Sequence, residues 1–436
     1  MKYRKESVKS IYEYALKLVG KSLSQVADLP VGVANSRNRG DLGSLVEKYY
    51  FELTPPNNHD PDFKEAGLEL KTTGLVKKSG TLRVKERLVL TTINYEAIVN
   101  ESWEESTLYR KCQLMLILFY SYSKELSVID RKFIKVVLHS LPKTDIPQIK
   151  SDWEKIREIV REGRAHELSE GDTFYLAACR KGSGGKDEPL RKQPFSRIKA
   201  KNRAFSFKPG YVNQILESKE MNIENIEVMQ MSTIEKETMS RFEPFIGKSV
   251  GDISKLIKLR ESGNKDKSYL KKLAIHILSE EGRAPINLKK AGIEMKTVRL
   301  TPTGRPRESM SFPTFKYMEI INENWEDSSF FAKLESKFLF VVFKADLDGT
   351  ERLSKVAYWN MPYEDRNEAM RVWEETKRRV LIDARNLPKL SDSYVAHVRP
   401  KARNGNDKLP TPRNGLQIKK CFWLNNKYIA RIISSI

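Results

Sequence analysis

The sequence has few cysteines and histidines for its length of 436 residues. Its three cysteines, Cys112, Cys179 and Cys421, lie far apart without a CxxC spacing, and none of the five histidines is close to them in sequence. Disulfide frameworks and zinc modules are built from closely spaced ligands, so neither is expected here.

Long hydrophobic stretches are also missing. The longest apolar run, 114–120, is far shorter than the roughly 18 residues that a membrane-spanning helix needs. The first twenty residues are charged and interrupted, unlike the apolar core of a secretory signal peptide. We therefore expect a soluble protein of the cytoplasm with no membrane association.

Positive charge is in excess, with 78 Lys and Arg against 57 Asp and Glu and a net charge of +21. The excess is divided almost evenly, with +10 in residues 1–218 and +11 in residues 219–436. Because basic side chains that neutralise phosphates release condensed counterions, this surplus favours a nucleic acid partner. Charge alone leaves a merely basic protein as an alternative.

Several short segments recur in the same order in both halves of the chain. The clearest pairs are Gly67-Leu-Glu-Leu-Lys-Thr72 with Gly292-Ile-Glu-Met-Lys-Thr297, and Glu101-Ser-Trp-Glu-Glu-Ser106 with Glu323-Asn-Trp-Glu-Asp-Ser328. Across all the matched segments, the numbering offset between the two copies falls steadily from 227 at the start to 217 at the end, as small loop deletions in the second copy would produce. The repeat predicts two copies of one domain, residues 1–216 and 241–436, joined by a helical linker over 217–240.

Helical and strand-like patterns alternate within each copy. In the first copy, residues 11–19, 42–50 and 153–161 have helical spacing, and residues 67–72, 88–93, 112–120 and 173–179 have strand patterns. Asp41 is a candidate N-cap for the second of these helices. The pattern predicts an α/β fold, with a mixed sheet flanked by helices, in two tandem copies.

The strand around Glu69 carries the residues best suited to catalysis. In an extended strand Glu69 and Lys71 share one face, and Asp62 arrives from the preceding turn. Two carboxylates there can hold Mg²⁺ and an attacking water, while the lysine stabilises the transition state. Glu47, on the preceding helix, is spaced to reach this cluster. Since Glu-x-Lys is also common as a solvated helical pair, the pattern favours a nuclease core without excluding surface charge.

These motifs resemble those of the MutH mismatch-repair nicking endonucleases. The similarity is collinear through Gly43-Ser-Leu-Val-Glu47, Asp62-Phe-Lys-Glu-Ala-Gly-Leu-Glu-Leu-Lys-Thr72, the segment 103–111 and the segment 205–208. MutH is a single domain, whereas this doubled chain is similar to the Sau3AI restriction endonucleases, which resemble two fused MutH-like domains. The resemblance to the MutH/Sau3AI family covers nearly the whole chain.

The resemblance implies a type II restriction endonuclease of the PD-(D/E)xK fold that cuts double-stranded DNA at GATC with Mg²⁺. It implies a restriction-modification system whose DNA methyltransferase acts on the same sites. Asp62, Glu69 and Lys71 match the family's catalytic residues, with Asp62 and Glu69 as metal ligands. Glu47 and Lys111 match two further active-site residues, although Lys111 alone would be interpreted as a flanking surface charge.

The second copy departs from this pattern. It keeps the strand motif as Glu294 and Lys296. Asp62, however, falls on Asn287, and no acidic residue matches Glu47. Asn offers a neutral carbonyl oxygen without the charge that binds Mg²⁺ tightly. We therefore expect the second copy to bind DNA as an effector site without cutting it.

Base recognition is predicted in two basic segments that follow short strands. Arg and Lys can bond guanine O6 and N7, and glycines let a loop follow a groove. The candidates are Arg180, Lys181, Lys186 and Arg203 in the first copy and Arg399, Lys401 and Arg403 in the second. Phosphate contacts or a simply mobile loop fit the composition equally well.

Three functions remain open on the sequence. A restriction endonuclease makes double-strand cuts, which with one active copy requires dimerisation on DNA or two successive nicks. A MutH-type repair enzyme makes single-strand nicks that depend on methylation and a partner protein, and the duplicated architecture argues against it. A DNA-binding regulator never cuts, and the intact cluster around Asp62 argues against that.

Overall fold

The computed structural model describes residues 2–30, 41–54, 60–182, 189–218, 233–259, 267–279 and 288–436. Sheets lie between helices in a mixed α/β arrangement, which confirms the predicted fold class. Among the described helices, none is long and apolar enough to cross a membrane.

The first half of the chain contains seven of these α-helices and nine strands. The helices are α1 (Val8–Leu16), α2 (Leu23–Val26), α3 (Asp41–Leu45), α4 (Tyr95–Ile98), α5 (Thr107–Cys112), α6 (Ile146–Arg161) and α7 (Pro209–Glu217). The strands are β1 (Glu69–Lys78), β2 (Thr81–Val84), β3 (Leu88–Thr92), β4 (Leu114–Ser121), β5 (Phe133–Ser140), β6 (Leu176–Arg180), β7 (Arg191–Gln193), β8 (Ser196–Ala200) and β9 (Arg203–Phe207).

The described part of the second half has a similar set of elements. Its helices are α8 (Ile234–Phe242), α9 (Val250–Leu256), α10 (Lys267–Leu278), α11 (Tyr317–Ile320), α12 (Ser329–Leu334), α13 (Tyr363–Asp383) and α14 (Asn426–Ser435). Its strands are β10 (Ile293–Leu300), β11 (Met310–Thr314), β12 (Lys337–Ala345), β13 (Glu351–Trp359), β14 (Ala396–Pro400), β15 (Lys408–Pro410), β16 (Leu416–Ile418) and β17 (Lys420–Leu424).

The same sheet plan occurs twice. The first half has sheets in the orders β2-β1-β4-β5, β3-β9-β6 and β7-β8, and the second has β10-β12-β13, β11-β17-β14 and β15-β16. In both halves the first two matching strands pair in parallel, β1 with β4 and β10 with β12. The sequence repeat is therefore a repeat of structure. The domain limits 1–216 and 241–436 stay a prediction, since residues 219–232 of the proposed linker lie outside the described residues.

Strand β4 forms the centre of the first sheet. Its residues Met115 to Phe119 are fully buried, because helices cover both faces of the strand, and this explains the continuous apolar run in the sequence. The predicted strand began too early, however, because Cys112 is the last residue of α5. Ser106 caps that helix by accepting a hydrogen bond from the Tyr109 N–H at 3.1 Å. Asp41, predicted as an N-cap, is itself the first residue of α3.

The two halves share one hydrophobic cluster. It includes Ile149 and Phe207 of the first half and Leu339 and Phe343 of the second. At Gly210, at the start of α7, a Cβ atom would lie only 1.9 Å from the carbonyl oxygen of Lys289, so glycine is required for this approach. The halves are therefore packed together rather than merely linked.

A buried ion pair crosses the junction between the halves. Asp145, just before α6, accepts hydrogen bonds from Lys290 Nζ at 2.7 Å and from Tyr211 Oη at 2.9 Å. The two charged side chains are only 12% and 9% exposed. At the matching place in the second half, Asp365 accepts from Tyr428 Oη at 2.9 Å, and its cation is Arg431 of the same half.

Lys290→Met should lower the free energy of unfolding by about 3 kcal/mol, because it leaves Asp145 as an uncompensated buried charge. Arg431→Met is the matched control, and since Arg431 is 56% exposed it should cost less than about 1 kcal/mol. Urea unfolding of both variants measures the difference. Adding Asp145→Asn to Lys290→Met should restore most of the loss, and equal losses in the two single variants would contradict this account.

Candidate active site

A tight turn holds Asp62 beside β1. Gly67 closes the turn in a left-handed conformation, with φ of 60°, and the Phe63 N–H donates to the Leu68 carbonyl at 2.9 Å. The Asp62 carboxylate then accepts a hydrogen bond from the Leu70 N–H on β1 at 2.8 Å. A glycine is needed at the left-handed position, which explains its place in the motif.

Glu69, the first residue of β1, is almost fully buried at 1% exposure. It accepts a hydrogen bond from Lys71 Nζ at 2.5 Å, as the shared strand face predicts. Lys111 Nζ lies 3.3 and 3.4 Å from the two oxygens of the same carboxylate. Lys111 comes from the last turn of α5 and is itself buried. The structure thus brings two predicted lysines, Lys71 and Lys111, to the carboxylate of the predicted Glu69.

Glu47 approaches this region from the helix that precedes the strand. Helix α3 continues as a π-helical turn over Val46–Tyr50, which contains Glu47. A Cβ atom at Gly43 would lie 3.2 Å from Thr72 Oγ1, so the absence of a side chain lets the helix pack close to β1. Glu47 and Lys71 line the same groove, which has a volume of about 340 Å³.

The carboxylates of this cluster disfavour one another's charge. Burial raises the pKa of Asp62, and the nearby Glu69 carboxylate raises it further. Burial also raises the pKa of Glu47, with Asp62 as the next cause. A cation placed among these groups would remove part of this unfavourable energy.

The donor set suits a hard divalent cation. Carboxylate oxygens are the ligands that Mg²⁺, Ca²⁺ and Mn²⁺ prefer. Across the described residues, no three carboxylate, imidazole or thiol groups are close enough to enclose an ion as they stand. Lys71 and Lys111 hold Glu69 in this conformation. The residues fit a cation in charge and in donor chemistry, and Asp62, Glu69 and Glu47 are those that would hold it.

The groove also contains residues that the sequence analysis did not single out. Its lining includes the cations Lys85, Arg87 and Arg131 and the aromatic residues Tyr120 and Tyr122. Lys85 and Arg87 follow β2, Tyr120 and Tyr122 lie at the end of β4, and Arg131 precedes β5. The pairing of β1 with its neighbours brings them together. No spacing in the sequence marks them as a group.

Two of the predicted DNA contacts are engaged within the protein. Arg203 is 5% exposed, and its guanidinium donates to two backbone carbonyls. It therefore supports the fold, and we do not retain it as a proposed DNA contact. Arg180 is ion-paired at 3.2 Å with Glu326 of the second half, which also accepts from Lys201 at 2.7 Å.

The other predicted DNA contacts are at the surface or outside the described residues. Lys181, Arg399, Lys401 and Arg403 are exposed, and Lys186 lies outside the described residues. The four exposed side chains are accessible to DNA, and the DNA-binding role of all five residues stays a prediction.

In the second half, the strand glutamate that corresponds to Glu69 is Glu294. Glu294 is ion-paired with Lys296 at 3.2 Å and with Lys333, which occupies the place of Lys111 on the matching helix. Burial raises the pKa of Glu294, but the two lysines outweigh burial, so the pKa is lowered overall. This carboxylate is therefore fully balanced by cations without a metal.

Neither of the other two acids has an acidic counterpart among the described residues of the second half. The buried positions of α10 and of the α3 segment match if Glu47 is placed opposite Ala274. Asn287, which matches Asp62 in sequence, lies outside the described residues. Among the described residues, the second copy thus offers one carboxylate where the first offers three.

Comparison with known proteins supports the repeat and gives a family. A family model described as the DNA mismatch repair enzyme MutH matches the chain twice, over residues 51–152 and 279–371. The type II restriction enzyme Sau3AI of Staphylococcus aureus is 34% identical over 98% of this chain and 98% of its own length. The MutH mismatch repair proteins of Shewanella amazonensis and Shewanella woodyi are each 24% identical, over 42% and 48% of this chain and 82% and 91% of their own.

We expect Mg²⁺ to raise the melting temperature of the wild-type protein but not that of Asp62→Asn, since the ion relieves the repulsion among the carboxylates. The substitution introduces the residue type that the second copy has at this position. Without metal the variant should melt at or above the wild-type temperature, because one repelling charge is gone. Differential scanning fluorimetry tests both points, and equal Mg²⁺ shifts in the two proteins would exclude Asp62 as a ligand.

Proposed function

The chain belongs to the family of the MutH and Sau3AI endonucleases and is a type II restriction endonuclease acting on double-stranded DNA, and on this premise we propose that it cuts GATC sites with Mg²⁺. The observation that carries this proposal is the similarity to Sau3AI over 98% of the chain, together with the intact carboxylate and lysine cluster in the first half. We propose residues 1–216 as the catalytic domain and residues 241–436 as an effector domain. We also place the enzyme in the cytoplasm, where its substrate would be found.

In the proposed reaction, Asp62 and Glu69 hold the metal, and Glu47 adds a third carboxylate beside them. Bound Mg²⁺ supplies an activated water and neutralises charge on the phosphate. The Lys71 ammonium group, 2.5 Å from Glu69, is placed to orient the attacking water or to stabilise the negative charge of the transition state. Lys111 contacts the same Glu69 carboxylate as Lys71, at 3.3 Å. We propose that Lys111 turns to the scissile phosphate when DNA enters the groove.

We propose that the second copy binds a further DNA site without cutting it. Its groove has a volume of about 820 Å³, larger than that of the first copy. Basic residues dominate the charged lining, which comprises Lys271, Lys296, Arg299, Arg307 and Arg399 with Glu308 as the single acid among the described residues. Cations without a carboxylate cluster support phosphate binding that needs no metal.

One catalytic copy per chain cuts one strand at a time. Because GATC is two-fold symmetric, we propose that two chains dimerise on the site, each facing the equivalent phosphate. A cognate methyltransferase that modifies the same sites would protect the host's own DNA. A repair-type nicking function has weaker support, because the MutH proteins match only about half of this chain.

Purified protein with Mg²⁺ should cut an unmethylated plasmid into fragments whose sequenced ends all lie at GATC. Glu69→Gln should reduce cleavage by at least about a hundredfold, because Glu69 loses the charge with which it would bind the metal and with which it pairs both lysines. Glu294→Gln, the same change in the second copy, should retain cleavage. Fragment ends at another sequence would refute the proposed site, and strong cutting by Glu69→Gln would refute the assignment of Glu69.

A GATC duplex should bind the wild-type protein in EDTA, through the second copy. Lys271→Glu, which reverses an exposed charge in that groove, should weaken this binding by about tenfold. Ser44→Glu, at the matching place of the first copy, should leave it unchanged, because the first groove carries unbalanced carboxylates without metal. Fluorescence anisotropy measures both, and complete loss of wild-type binding in EDTA would contradict a metal-independent site.

A further inference from the structure

Arg131 is a buried cation with no acidic partner among the described residues. It lines the groove of the first copy just before β5 and is 8% exposed. In the part of the chain that the structure describes, it forms no ion pair, and its Nε atom has no hydrogen-bond partner. Burying a charge without an oppositely charged partner costs free energy, so an anion bound beside Arg131 would be stabilising.

Two tyrosine rings hold the guanidinium in place. Its central carbon lies 4.7 Å from the ring centre of Tyr122 and 5.9 Å from that of Tyr120. Lys85 Nζ lies 3.9 Å from the centre of the Tyr122 ring. Two cations therefore share one aromatic residue. Lys85 is also ion-paired with the adjacent Glu86, whose side chain is 56% exposed. An anion between Lys85 and Arg131 would balance the charge of Arg131, which has no such pair among the described residues.

The first strand is shaped to admit this arrangement. Tyr120 pairs with Gly74 across the parallel β1 and β4. A Cβ atom at Gly74 would lie 3.3 Å from the Tyr120 ring, so a larger residue would press on the ring. The aromatic wall that supports Arg131 thus depends on a glycine in the strand that also carries Glu69 and Lys71.

The same position in the second copy is neutralised internally. Each copy has a Gly-Lys-Ser motif whose glycine N–H donates a hydrogen bond to a strand carbonyl. Gly20 donates to Phe133 in the first copy and Gly247 donates to Leu353 in the second, so Phe133 and Leu353 occupy matching positions. Two residues before them lie Arg131 and Glu351. Glu351 is 5% exposed and is ion-paired with Arg299 at 2.7 Å. The second copy has both charges of a pair where the first has only a cation.

We propose that Arg131 and Lys85 bind a backbone phosphate of the DNA strand one or two nucleotides from the scissile phosphate. This inference rests on the proposal that DNA is cut in the first groove. Gly74 lies three residues beyond Lys71, which is about 10 Å along a strand at roughly 3.3 Å per residue. Because the backbone winds around the helix, neighbouring phosphates of one strand lie farther apart than the helix rise of about 3.4 Å, so this distance corresponds to one or two nucleotides. A planar guanidinium donates two parallel hydrogen bonds to a phosphate, which fixes the position of the strand.

The test is single-turnover cleavage of GATC duplexes that each carry one uncharged methylphosphonate. In the wild-type enzyme, the substitution one or two nucleotides from the cut should lower the single-turnover rate constant by about tenfold or more. Arg131→Gln should cut the unmodified duplex about tenfold more slowly and be insensitive to the methylphosphonate at that single position. It should keep wild-type sensitivity at the other phosphates, and Arg131→Lys should recover part of the activity.

Glu351→Gln is the matched control in the second copy, and it should show the wild-type pattern at every phosphate. If Arg131→Gln keeps the wild-type sensitivity at all positions, Arg131 is only structural and the inference is overturned. If Arg131→Gln does not fold, as judged by thermal melting, Lys85→Gln decides in the same way. Cleavage that survives Asp62→Ala would refute the proposed active site itself, which is a different outcome from an Arg131 result.

Discussion

The parallel pairing of β1 with β4 is the constraint from which the active site follows. Its register places Glu69 opposite Met115, so the chain just before β4 must end beside the start of β1. That preceding segment is α5, and its last turn therefore delivers Lys111 to the buried Glu69 carboxylate. A contact between residues 42 positions apart thus arises from strand register and one short capped helix. The second half repeats this construction with β10, β12 and Lys333.

Duplication preserved the scaffold while the charges at the site diverged. Both copies keep a strand glutamate between two lysines, and both place a left-handed glycine two residues before it, at Gly67 and Gly292. In the first copy, Asp62 and Glu47 add negative charge that Lys71 and Lys111 offset only in part, so the pKa of both carboxyls stays raised. In the second copy the single glutamate is already neutralised. On the proposed function, one fold would present a metal site in the first copy and a phosphate site in the second, depending on two acidic side chains.

The sequence predicted the features that depend on local pattern. The two-residue period of a strand placed Glu69 and Lys71 on one face, and collinear repeats predicted two copies of the fold. It failed where tertiary packing decides. Arg203 looked like a base contact, but β9 lies in the middle of its sheet, so its side chain satisfies carbonyls in the interior. Arg131 follows no motif and acquires its setting from strands that are distant in the sequence.

A nuclease groove must combine two opposing electrostatic requirements. The metal needs clustered carboxylates, which repel DNA, whereas the DNA backbone needs cations, which repel the metal. The first copy separates these requirements along β1. Its carboxylates lie at the start of the strand around Glu69, and the cations supported by tyrosines lie near Gly74 at the far end of the groove. Under the proposed function, DNA drawn in by these cations would lie across the carboxylates, next to the place proposed for the metal.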